Sequence, residues 1–249
     1  IPGVEGGAVL FNGFTSRIVV PVDQAPRLGN VFTIDFWIAP ASFPKSPCPI
    51  LCQQSTPNAI PSGFSMELDV HGHVIFRYAQ GGKWQRISSL STLNLKQWSR
   101  VTCLYDAKKG IQMAVNGKIV IKSDNAPGPL QQSQNDMWIG RTPYKVVSQY
   151  ENDSISIFSS LDAGLDNLCI VKGAKAFGEI LKTQSKATLP ALPDFEERKL
   201  PSGPKGDMAF GAWYIPLKYY KQWDEQWRGE TPDVVVAFGK ENPSRVVFW

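Results

Sequence analysis

Histidine is scarce in this chain of 249 residues, which holds two, and cysteine is sparse at four. His71 and His73 stand two apart, a pair that could share a metal or supply a general base but that reads at a turn as exposed polar filler. Four cysteines make no disulfide framework at this length, and Cys48-x₃-Cys52 lacks the second Cys or His pair of a zinc site. Cys103 and Cys169 lie on apolar runs and read as buried small hydrophobes. Cys48 and Cys52 fall in PKSPCPILCQQ, open either to a local bridge in an oxidising compartment or to a reduced, inert state. No apolar run approaches the roughly 20 residues a membrane span needs. A basic n-region and an apolar h-region are both missing at Ile1-Pro2-Gly3, as expected of a mature exported protein, and the apolar end at Trp249 suits a longer parent. The 26 basic residues against 22 acidic ones give a net charge of +4. They form no basic stripe, which argues against nucleic acid and leaves anionic polymers such as acidic polysaccharides open as partners.

Helical periodicity is equally scarce, and alternation takes its place. In QWSRVTCLYDAKKGIQMAVNGKIVI, residues 97–121, Val101, Cys103 and Tyr105 share one face, as do Ile111, Met113 and Val115. Asp106 to Gly110 carries turn chemistry, and Asn116-Gly117 favours a type I′ hairpin. The same grammar predicts strands over 8–11, 17–21, 32–39, 50–53, 63–68, 74–78, 85–89, 99–105, 111–115, 118–122, 136–140 and 165–172. Short strands at this spacing make a two-sheet antiparallel β-sandwich the economical fold, in an all-β chain. One helical turn is predicted over 174–181.

Composition then shifts. Residues 183–205 carry four prolines and mixed charge, and from Gly206 to Trp249 ten of 44 residues are aromatic. The organisation expected is a sandwich over 1–186, a linker over 187–205 and an aromatic-rich β segment over 206–249, the last fit to open a truncated second domain. That segment alternates over 233–238 and 245–249 around a turn-rich 239–244, which is a hairpin. Tyr220, Trp223 and Trp227 stand at i, i+3, i+7, one stripe of a short helix. A lone hairpin is not stable, so the segment must dock or belong to a further sheet.

Five segments in one order carry a resemblance: AVLFNGFTSRIVVP with FTIDFWIAP, FSMELDVHGHVIFRY, LKQWSRVTCLYDAKKGIQMAVNGKIV, DMWIGRTP and AGLDNLCIVKGAKAFGEI. Over about residues 7–180 they resemble laminin G-like domains of the concanavalin A-like lectin/glucanase superfamily. The resemblance implies a jelly roll with one concave and one convex sheet, and Trp37, Trp98 and Trp138 at core positions. It does not single out a ligand, since lectins, carbohydrate-binding modules, adhesion domains and glycanases share the fold.

Each implied chemistry has its residues. Ser-Met-Glu67-Leu-Asp69-Val-His71 resembles half of the E-x-D-x-x-E signature of the superfamily's glucanases; Glu67 and Asp69 would share a strand face, but Gly72 stands where a third carboxylate is needed. The alternative is a hairpin whose Asp and Gly shape the turn. The resemblance also implies a structural Ca²⁺ held by Asp166 near Asn12, where Asn replaces the usual Asp and removes one charge. Sugar binding needs an aromatic face flanked by hydroxyl-reading polar groups. Trp84 with Arg86 beside Gly81-Gly82 meets that pattern, and Arg141, Tyr144 and Tyr150 fall in a long connection suited to a binding rim. Asn152-Asp153-Ser154 is a formal glycosylation sequon. The function expected is a non-catalytic carbohydrate-binding module of an exported polysaccharide-handling protein. Protein interaction or adhesion is the alternative, and a glycoside hydrolase or polysaccharide lyase component is the second.

Overall fold

The computed structural model describes residues 1–13, 15–44, 46–144 and 159–183, and the backbone of 214–215, 234–238 and 244–248. The chain divides into two units, Ile1–Pro193 and Asp194–Trp249. The first holds β1 (Val9–Asn12), β2 (Ile18–Val20), β3 (Val31–Pro40), β4 (Cys48–Gln54), β5 (Gly63–Leu68), β6 (His73–Gln80), β7 (Lys83–Thr92), β8 (Ser99–Asp106), β9 (Gly110–Val115), β10 (Lys118–Ser123), β11 (Met137–Ile139), β12 (Asp162–Lys172) and α1 (Lys175–Thr183). Two six-stranded antiparallel sheets result, in the orders β1-β12-β3-β8-β9-β10 and β2-β11-β4-β5-β6-β7. Every predicted strand is present, and the helical turn extends to α1.

Alternation decides which side chains meet between the sheets. Phe32, Ile34, Phe36, Val101, Cys103, Tyr105, Ile111 and Met113 of the first sheet face Phe64, Met66, Leu68, Val74, Phe76 and Tyr78 of the second in one continuous core. Phe32 stacks on Tyr105 at 5.0 Å between ring centroids, and Phe76 meets Tyr105 edge-on at 6.1 Å. The β9–β10 hairpin turns on Asn116 and Gly117, with φ of 48° and 76°, the two left-handed residues that a type I′ turn demands. At the other end of β9, the Asp106 carboxylate accepts the Lys108 and Lys109 N–H groups, and Gly110 (φ 117°) closes the turn where a Cβ would strike the Ser123 carbonyl.

The outer face of the first sheet is covered twice. Ile1, Val4 and Ala8 pack on Trp37, Ala39 and Trp98 at one end, and Phe177 and Leu181 of α1 pack on Leu104 and Ala114 at the other. Trp37 and Trp98 are therefore buried, but in a small outer cluster and not between the sheets. Trp138 departs further from its expected core position: Met137 and Ile139 take the core side of β11, so alternation turns the indole outward, half-buried beneath Arg17. Cys169 is exposed because β12 bulges between Asp166 and Cys169, with Asn167 left-handed at φ 49°. Cys48 and Cys52 are buried free thiols on opposite sides of β4, and four residues of extended strand put them about 13 Å apart, beyond any local bridge. Burial pushes the Cys48 thiol up to about 12, so it is inert at neutral pH.

In the second unit, β14 (Val234–Phe238) and β15 (Ser244–Phe248) form the predicted hairpin, and β13 (Tyr214–Ile215) adds a third strand beside β15. The 187–205 linker, the Tyr220/Trp223/Trp227 stripe, Tyr150 and the Asn152 sequon lie outside the described residues.

Candidate functional site

The register of the second sheet aligns one row of outward side chains across all six strands: Val19, Trp138, Cys52, Ser65, Arg77 and Arg86. Adjacent outward positions hold Gln54, Glu67 and Trp84, because Phe64, Met66, Phe76 and Ile87 occupy the core side of the same strands. Arg77 is the hub. Its Nη2 donates to Gln54 Oε1 at 2.7 Å, its Nε lies 3.4 Å from Glu67 Oε1, and its guanidinium stands 4.6 Å from the Trp84 ring centroid. The Glu67 side chain is 8% exposed and that of Arg77 32%. The planar fork is thus held by a carboxylate, an amide and an indole at once.

Gln54 links this hub to the loops. Its backbone carbonyl accepts from the Tyr144 hydroxyl (3.2 Å) and from Asn135 Nδ2 (2.8 Å), which also donates to the Tyr144 oxygen at 3.0 Å. Burial raises the Tyr144 phenol's pKa, keeping the hydroxyl protonated as a donor. At the far side of the row, Arg17 lies 5.8 Å over the Trp138 ring, and burial together with the Arg17 charge lowers the pKa of Arg141. Four expected sugar contacts, Trp84, Arg86, Arg141 and Tyr144, therefore lie on or beside one sheet face. Sequence reasoning missed Arg77, Gln54 and Asn135. The available signal was Arg77 between Phe76 and Tyr78, which alternation sends to the outer face.

The acidic pair resolves differently. Strand β5 stops at Leu68, so only Glu67 is on the sheet face, where Arg77 engages it. Asp69 shapes the turn into β6: its Oδ1 accepts the His71 and His73 N–H groups at 2.9 and 2.8 Å, its Oδ2 meets His73 Nδ1 at 3.1 Å, and Gly72 takes φ 86°. The shared strand face expected for Glu67 and Asp69 is lost because the chain turns before the second acid. Burial would raise the Asp69 pKa, but the two N–H bonds and His73 outweigh it and hold the carboxyl below its ordinary value. A depressed carboxyl contributes stability that is complete above the unfolded value of about 3.9 and is lost as pH falls through the folded value. Asp69→Ala is expected to cost about 1–2 kcal/mol at pH 7 and to flatten the acid limb of stability, measured by urea unfolding between pH 7 and pH 2.5. An acid limb identical to that of the unaltered protein would show that Asp69 does not carry it.

The residues implied for calcium do not fit that ion as placed. Asp166 Oδ2 accepts the Val4 and Glu5 N–H groups at 2.7 and 3.2 Å, and Oδ1 accepts from Asn167 N–H at 2.8 Å. Asn12 Oδ1 accepts the Thr15 and Ser16 N–H groups, and Asn12 sits at the opposite end of the β1–β12 ladder from Leu165, the neighbour of Asp166. Both oxygens of the acid serve backbone donors, and the two side chains are not brought together. Among the described residues no cluster of three or more His, Cys, Asp or Glu forms a metal site.

Residues 12–156 match the laminin G-type family described as the Concanavalin A-like lectin/glucanases superfamily. The chain belongs to this superfamily. No curated protein matches it. Among solved structures it resembles the binding domain of Paraclostridial Mosquitocidal Protein 1 (TM-score 0.54, 17% identity), covering 73% of this chain and 44% of that one. It also resembles domain 4 of AbnA, a GH43 extracellular arabinanase from Geobacillus stearothermophilus, in complex with arabinotriose (TM-score 0.52, 16% identity, 74% and 79% covered). A third likeness is the Ruminococcus gnavus IT-sialidase CBM40 bound to alpha2,3 sialyllactose (TM-score 0.52, 10% identity, 73% and 99% covered). At these identities superfamily members share the fold, and the site must be argued from this chain's own residues.

Proposed function

We propose that this chain is a non-catalytic glycan-binding module of an exported polysaccharide-handling protein, and that the outer face of the β2-β11-β4-β5-β6-β7 sheet takes the sugar. The observation that carries this reading is the linked set Trp84, Arg77, Gln54, Tyr144 and Asn135. An indole offers a surface for sugar C–H groups, while guanidinium, amide and phenol read hydroxyls. Arg77 covers one part of Trp84, and the indole keeps partial exposure for a ligand. Two of the resembling domains are described in complex with oligosaccharides, and one of them belongs to an extracellular protein. Among the described residues no helix is long and apolar enough to cross a membrane. The rival reading, protein interaction, calls for a contiguous apolar patch, whereas this face is polar and rich in arginine.

Trp84→Ala is expected to weaken glycan binding about tenfold or more with the fold intact. A glycan array followed by titration calorimetry reads the affinity, and circular dichroism reads the fold. Unchanged affinity in the variant would move the site off this face, and an array with no glycan bound would overturn the function.

A further inference from the structure

Arg77 and Arg86 are directly opposed across the β6–β7 ladder, on the same outward face. Like charges directly opposite destabilise a sheet unless something anionic lies between or beside them. Glu67 answers only Arg77, through Nε. Arg86 is exposed, and among the described residues no carboxylate pairs with it. Two guanidinium groups thus stand opposite each other with one engaged glutamate beside them.

We propose that the glycan bound here is acidic, its carboxylate or sulfate oxygens held by Arg77 and Arg86. This rests on the glycan-binding reading above and narrows it. Arg77 suits the task because Gln54, Glu67 and Trp84 already fix its fork, so little side-chain freedom is lost when an oxyanion arrives. Ser65 adds an independent mark. It sits in the cross-strand row between Cys52 and Arg77, fully buried, and its hydroxyl has no hydrogen-bond partner. Buried hydroxyls ordinarily find one, and this one lies beside the guanidinium that an anion would approach.

The test titrates the full chain with polygalacturonate, dextran sulfate and neutral dextran and arabinan, at low and high salt, beside a single-stranded oligonucleotide of matched charge. The acidic glycans are expected to bind more tightly than the neutral ones and to lose affinity with salt. Arg86→Gln, at an exposed position that endangers no packing, is expected to weaken acidic-glycan binding about tenfold. Preference for polygalacturonate would name the carboxylate as the group read, and preference for dextran sulfate the sulfate; either supports the proposal. Binding of neutral glycans in preference to acidic ones, or acidic binding indifferent to Arg86→Gln, overturns it while the glycan-binding function stands. Binding to no glycan overturns both, and an oligonucleotide held as tightly as polygalacturonate overturns the assignment to glycans.

Discussion

Arg77→Ala is expected to remove glycan binding and to cost about 2–3 kcal/mol of stability, below the 3–5 of a fully buried ion pair because Arg77 keeps about a third of its exposure. Both effects have one origin. The guanidinium answers the nearly buried Glu67, orders Gln54 and rests on Trp84. Its loss leaves a carboxylate in a low-dielectric setting with no counter-charge and frees an indole that was fixed by contact. Glu67→Gln on the Arg77→Ala background is therefore expected to recover part of the stability, since a neutral amide needs no counter-charge, without recovering binding. Arg77→Lys should behave as an intermediate, keeping charge while losing the fork and the stacked plane. Urea unfolding of the unaltered protein, Arg77→Ala, Glu67→Gln and the double variant gives the cycle, and calorimetry gives the affinities. A cost under about 0.5 kcal/mol for Arg77→Ala would make the pair an ordinary surface contact.

Much of this architecture is legible from period-two alternation. Val101, Cys103 and Tyr105 alternate with Arg100, Thr102 and Leu104, and such runs admit only one buried side. Asn116-Gly117 announces its turn because few other residues take two successive positive φ values. Alternation fails where the backbone departs from a regular pleat. Cys169 reads as buried in LDNLCIVK, yet the bulge after Asp166 turns it outward. Asp69 and Glu67 read as one face, yet the strand ends between them.

The site was half legible for a related reason. Trp84, Arg86, Arg141 and Tyr144 announce themselves by chemistry and loop position. Arg77 does not, because its meaning comes from Gln54 on β4, Glu67 on β5 and Trp84 on β7, partners 7 to 23 residues away that only the sheet order assembles. Asp166 shows the limit of carrying a residue role over from a resemblance: the acid is in place, but the N-terminal residues that close over it bring N–H groups to its oxygens.

Asp35→Ala is expected to produce the largest loss of stability proposed for this chain, about 3–5 kcal/mol, with glycan binding by the folded fraction unchanged. The first sheet repeats the chemistry of the second. Arg100 donates from Nε and Nη2 to Asp35 at 2.8–3.1 Å, Thr102 Oγ1 donates to it at 2.6 Å, and the guanidinium lies 5.9 Å over the Trp37 ring. The parts match those of Arg77, Glu67 and Trp84, but the cover differs. The Asp35 and Arg100 side chains are 5% and 15% exposed, and Trp37 lies under the N-terminal residues with Trp98. A ligand cannot reach a fork that the chain itself has roofed over, so the pair on this side tightens the fold, whereas the Arg77 side chain on the other side keeps the exposure that the proposed glycan site requires. Urea unfolding measures the first consequence. Calorimetry with the bound glycan, well below the midpoint of the variant, measures the second. Lost binding in folded Asp35→Ala would mean that the two faces are coupled through the core, and the division of labour between them would fall.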